Sequence, residues 1–131
     1  MELLIVIAII GVMAAMVVAT FSNATQDSRE VVAKQQQAVL QEALNAWITN
    51  ESSSAGAGSL SAAKSAYDAA ATASAKMALI DGYLDDSTAS QFTAHASVSN
   101  ALNSPVMLKT GHYITFSAWS SGSYPKVQLG P

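Results

Sequence analysis

The sequence predicts an α+β fold. A long N-terminal α-helix, apolar over its first half, packs on a small head with one or two further helices and a C-terminal three-stranded antiparallel sheet. Three observations carry this. Leu3 to Ala19 contains no charged or strongly polar side chain. Neither Pro nor Gly interrupts the chain between Val12 and Glu51, while apolar residues keep helical spacing. The last quarter turns to short β-rich runs separated by Gly, Ser and Pro.

Residues 1–21 form the first unit. As a helix rising 1.5 Å per residue, the apolar run spans about 26 Å, close to a hydrocarbon core of about 30 Å. In lipid the backbone must satisfy its own hydrogen bonds, so a single span is helical. A cleaved secretory signal has a basic flank and a shorter apolar stretch, and a plain signal anchor carries Lys or Arg on its cytoplasmic side. Here the flank is acidic, at Glu2. A carboxylate at the edge of a span is costly to bury and marks a functional position that needs a partner.

Residues 22–50 continue the helix as an amphipathic segment. Val32, Val39, Leu40, Ala43, Leu44, Trp47 and Ile48 make one face, with Asp27, Arg29, Glu30, Lys34, Gln37, Gln41 and Glu42 mostly elsewhere. Residues 51–131 form the head. The run 51–59 is rich in Ser and Gly and reads as a loop, after which Ser59 or Ser61 is placed to cap a helix reaching Leu84. Ser87 or Thr88 is placed to cap a third, shorter helix that runs through Phe92 to Leu102. Val106–Lys109 and His112–Trp119 then form a hairpin about Thr110–Gly111, and Lys126–Leu129 adds a last strand.

Composition excludes several functions. The net charge is −3, and Arg29, Lys34, Lys64, Lys76, Lys109 and Lys126 form no cluster, so there is no basic stripe for nucleic acid. There is no cysteine, so this small domain gains nothing from disulfides and must find stability elsewhere, packing against neighbouring subunits being one way. His95 and His112 lack ligand-spaced companions, and no phosphate loop or catalytic constellation is present. The chain therefore reads as a non-enzyme without a cofactor. Asp81, Asp85 and Asp86 are a weak calcium candidate, equally explained as a solvated helix end. Asn23-Ala-Thr25 and Asn50-Glu-Ser52 match glycosylation sequons, a pattern common by chance.

Glu2-Leu3-Leu4-Ile5-Val6-Ile7-Ala8-Ile9-Ile10-Gly11 resembles the N-terminal signature of type IV pilins and of the pseudopilins of type II secretion systems. The likeness covers roughly the first 20 residues, flanking glutamate included. It implies a pilin-like fold and a bacterial inner-membrane subunit that assembly machinery transfers into an extracellular or periplasmic helical homo-oligomer. By that resemblance Glu2 pairs with the terminal amine of a neighbouring subunit and favours methylation of its own processed N-terminus. Leu3, Leu4, Ile5, Val6, Ile7, Ile9 and Ile10 become filament core. The family pattern has about three residues before the one aligned with Met1, preceded by a short leader, so the mature chain is expected to begin upstream. Family members often lose helix after the glycine matching Gly11, helped by a proline. Ala19 stands where that proline would, so a milder loosening over Gly11–Ala15 is expected. The leading reading is a pilus subunit. The alternatives are a major pseudopilin and a membrane-anchored binding domain that never polymerises.

Overall fold

The computed structural model describes residues 2–54 and 59–131. Helix α1, Glu2–Ser54, is 53 residues long, about 80 Å at 1.5 Å per residue. It runs past the expected end at Asn50 because its last serines close the turn: Ser52 Oγ and Ser53 Oγ donate to the Thr49 carbonyl at 3.0 and 2.8 Å. The expected 51–59 loop is thus helical through Ser54, and residues 55–58 lie outside the described part.

The second half of α1 carries the head. Ala33, Leu40, Ala43, Leu44, Trp47 and Ile48 are buried, at the spacing of one helical face. Of the residues expected on this face, Val39 is more than a third exposed and Val32 only partly buried, while Ala33, not expected there, is fully buried. Against this face pack α2 (Leu60–Ala69) and α3 (Ala73–Ile80). The one helix expected from Leu60 to Leu84 is thus two, followed by a 3-10 turn, Asp81–Tyr83. The break falls at Ala70, and Thr72 restarts the helix by accepting a hydrogen bond from Ala75 N at 3.2 Å, a standard N-cap. Ser59 stands at the N-cap of α2, but its side chain makes no capping bond.

No helix spans Phe92–Leu102. Asp85, rather than Ser87 or Thr88, caps a four-residue helix, α4 (Asp86–Ala89). The chain then forms β1 (Thr93–Ala94), turns through Asn100 at φ +63°, and returns as β2 (Leu102–Asn103). Asparagine tolerates that left-handed conformation better than other non-glycine residues. Thr93 Oγ1 donates to Asn103 Oδ1 across the pair at 2.9 Å, so the buried Asn103 amide oxygen is satisfied.

Val106–Lys109 is not a strand. It lies in helix α5, Pro105–Thr110, with Ser104 as N-cap, Pro105 in the first turn and Gly111 at φ +76° as the C-cap. Proline inside the start and glycine just past the end frame a helix, and they outweigh the β-leaning Val, Leu and Thr between them. One expected strand is lost and β1 and β2 are gained, so among the described residues the sheet has four strands rather than three, antiparallel, in the order β1-β2-β3-β4, with β3 Tyr113–Phe116 and β4 Val127–Gly130. Tyr113 faces Gly130 in register. A Cβ at 130 would come within 2.5 Å of the Tyr113 ring, so the ring lies over bare backbone.

Gln37 and Gln41, expected on the polar face, turn toward the head. Gln37 Nε2 donates to the Val127 carbonyl at 2.9 Å, and Val127 N donates to Gln41 Oε1 at 2.7 Å. Ser104 Oγ, fully buried, donates to Gln36 Oε1 at 2.7 Å. Removing one such partner leaves a shielded polar group unpaired, which costs about 1–3 kcal/mol. Gln41→Ala should therefore lower the unfolding free energy of the head by about that amount, read from the shift in denaturant midpoint. A second outcome concerns Tyr67, which is 1% exposed and donates to the Ser117 carbonyl at 2.7 Å. Burial pushes its hydroxyl from 10.0 up to about 12. The folded value lies above the unfolded one, so this stabilisation is complete below pH 10 and is lost as pH rises toward 12. Tyr67→Phe should flatten the alkaline limb of the stability–pH curve.

Candidate functional site

The first half of α1 stands apart from the head. Every residue from Glu2 to Ser28 is exposed, including Leu3 at 73%, Ile9 at 52% and Phe21 at 70%. Between Leu3 and Phe21 thirteen large apolar side chains face solvent. Ile5, Ala8, Ile9, Val12, Met13 and Met16 line one wholly apolar strip. Water tolerates apolar patches of only a few hundred Å² on a monomer, and larger ones mark an interface or a membrane contact. Covering these side chains would release about 20–40 kcal/mol at 1.5–3 kcal/mol each. The helix is long and apolar enough to cross a membrane, and none of its most apolar window is buried.

The predicted residues fall along this rod. Glu2 occupies the first turn of α1, where a carboxylate complements the positive end of the helix dipole. Leu3, Leu4, Ile5, Val6, Ile7, Ile9 and Ile10 surround the helix on all sides, the pattern of a span covered all round. Gly11 lies in unbroken helix, with nothing within 4 Å of where a Cβ would sit. The hydroxyls that interrupt the apolar surface bond back to their own helix. Thr20 Oγ1 donates to the Val17 carbonyl at 2.8 Å and Thr25 Oγ1 to the Phe21 carbonyl at 2.8 Å. Asn23 and Asn50, the sequon asparagines, are exposed on the same helix.

The acidic trio on the head is not gathered into one site. Asp81 lies in the 3-10 turn, while Asp85 caps α4 and accepts from the Ser87 hydroxyl and from Thr88 N. Asp86 follows in the first turn of α4. Among the described residues no three His, Asp or Glu side chains gather closely enough to hold a metal ion. The histidines serve local structure. His95 Nδ1 accepts from Ser97 N and Val98 N, both at 3.1 Å, and His112 Nδ1 lies 3.0 Å from the Gly130 carbonyl oxygen. Glu30 pairs with Lys34 at 2.8 Å, and that hydrogen bond and charge hold its carboxyl below the ordinary range.

Two features escaped the sequence. The glutamines that join α1 to the head are polar residues on a buried face, which periodicity alone assigns to solvent. The second is an aromatic chain. Tyr67 meets Trp119 edge-on at 5.7 Å, Trp119 meets Tyr124 at 5.9 Å, and Lys76 Nζ sits 4.5 Å over the Tyr67 ring. Tyr124 remains 55% exposed. No sequence spacing links these residues, which lie on α2 and on the segment between β3 and β4.

Comparison of the chain with protein-family models, curated proteins and solved structures finds no match.

The Asp85 cap gives a testable acid limb. The Ser87 hydroxyl and the Thr88 amide hold its carboxyl below 3.8. A lowered folded value means the cap stabilises above the ordinary carboxylate range and is lost as pH falls through the folded value. Asp85→Asn should speed amide exchange at Thr88 near neutral pH, and the difference from the parent should vanish as pH drops well below 3.8.

Proposed function

We propose that the chain is a type IV pilin-like structural subunit, held in a membrane by the first half of α1 and assembled through that helix into a helical filament with the heads outward. The observation that carries this is the fully exposed apolar rod from Leu3 to Phe21 headed by Glu2, in a stretch resembling the pilin signature. A membrane anchor alone explains the apolar surface but leaves the carboxylate at its edge only the helix dipole to complement. In a filament core Glu2 would meet the terminal amine of a neighbour. There opposite charges attract far more strongly than in water, and each relieves the burial cost of the other. Open helical assembly needs a heterologous contact that does not close, and a helix apolar on every side offers one.

The charge of Glu2 separates the two readings. Glu2→Gln changes charge but little volume. Expressed with the assembly machinery, the parent should give filaments by electron microscopy of sheared cells or periplasmic fractions. The variant should remain in the membrane fraction with filament yield down at least about tenfold, a loss of about 1.4 kcal/mol per joining event or more. The head melting temperature should not change, because Glu2 makes no contact with it. Filaments from the variant at parent yield would reject the assembly role of Glu2. A parent that stays monomeric in the membrane would leave an anchored binding domain.

A further inference from the structure

The surface between α1 and the segment joining β3 to β4 has no task in the reading above. Tyr124 projects there, and of three concavities that border it two also touch α1. One, of about 630 Å³, is lined by Gln37, Gln41, Asn45, Ser123, Tyr124 and Lys126 among others. The other, of about 380 Å³, is lined by Asn45, Ile48, Thr49, Ser52 and Tyr124. Both volumes fall in the range of small-molecule sites, about 300–1,000 Å³. Asn45 and Tyr124 border both, so one aromatic ring and one carboxamide divide two adjoining hollows.

Chemistry narrows the ligand. The Tyr124 ring is fixed by its edge-on contact with Trp119 at an interplanar angle of 70°, yet more than half of the residue stays in water. An aromatic face carries negative potential, which suits the polarised C–H bonds on the flat face of a pyranose. The carboxamides and hydroxyls around it suit sugar hydroxyls, which both donate and accept. Asn45 Oδ1 accepts from Gln41 Nε2 at 3.1 Å, and its NH₂ supplies two donors. Thr49 Oγ1 already donates to the Asn45 carbonyl at 2.9 Å, leaving its lone pairs as acceptors. Lys126 adds one cation at the rim, too few for a polyphosphate, which needs a basic cluster. The mixed polar lining also excludes a lipid tail.

We propose that this groove binds an oligosaccharide, one sugar ring stacking on Tyr124 beside Asn45 and the next lying in the adjoining hollow. The assignment does not depend on filament assembly. Two sources share this chemistry: glycan strands of a cell wall and glycans displayed on another cell.

The test uses the full chain in lipid nanodiscs, with two sets of probes: N-acetylglucosamine-containing cell-wall glycan fragments, and galactose-terminated oligosaccharides. Saturation-transfer NMR should show the C–H protons of one ring face in contact with protein for members of one set, which identifies the source. Tyr124→Ala should weaken binding at least about tenfold, Asn45→Ala should weaken it less, and Tyr124→Trp should retain it. Leu108→Ala, an exposed apolar change on α5, should leave it unchanged. Parent-like melting of each variant separates lost binding from lost folding. No saturation transfer to either probe set at about 10 mM, where even millimolar affinity would register, overturns the proposal. Equal binding by Tyr124→Ala overturns it too. If sugars fail to bind and Tyr124→Ala instead reduces association between chains, the groove is a contact for a neighbouring copy and the proposal is likewise overturned.

Discussion

The head is built on the side of α1 that runs from Ala33 to Ile48, and the contact has two components. Apolar side chains supply area: Leu40, Leu44, Trp47 and Ile48 join Tyr67, Ile80, Met107 and Ile114 in one core. Glutamines supply register. Gln37 and Gln41 take both the carbonyl and the N–H of Val127, so two helix side chains stand where the next strand of the sheet would lie. An apolar contact alone allows a helix to slide or rotate on its support, whereas hydrogen bonds to fixed backbone groups do not. The same pair covers part of the β4 edge, the kind of unpaired strand that recruits foreign chains when left open.

This division explains what the sequence reveals and what it hides. The length and placement of α1 are legible because no Pro or Gly falls between Val12 and Glu51, the chain being apolar all round at first and then periodic from Val32 to Ile48. The apolar rod and Glu2 are legible for a simpler reason: nothing among the described residues covers them. The elements misread are short. Val106–Lys109 has strand-like residues, and the information that it is a helix sits in its frame, Ser104-Pro105 before and Gly111 after. The break at Ala70–Thr72 contains no proline or glycine, and the alanines on either side favour helix. It exists because Ala63 and Tyr67 on one helix, and Ala73, Met77 and Ile80 on the next, all reach the core. The glutamine contacts are the least legible, since their partners lie more than 80 residues away and a polar side chain turned inward looks no different in sequence from one turned outward.

A domain of this size without disulfides has little margin, and the structure shows where its rigidity comes from. Polar groups that enter the interior arrive paired: Ser104 with Gln36, Asn103 with Thr93, Tyr67 with Ser117. The segment between β3 and β4 has little regular structure, yet Pro125 is buried, the Trp119 ring is held between those of Tyr67 and Tyr124, and Ser117 Oγ accepts from Lys126 N at 2.8 Å. Aromatic packing there takes the place of a covalent staple.

The threonines of the apolar half of α1 have a consequence for transport. Thr20 and Thr25 spend their hydroxyl protons on carbonyls one turn back, so neither asks its surroundings for a hydrogen-bond acceptor. Glu2 apart, the run from Leu3 to Phe21 therefore holds no side chain whose hydrogen bond would break if the helix passed from one oily medium to another. The polar barrier to such a passage would sit at one end of that run, in a single charge.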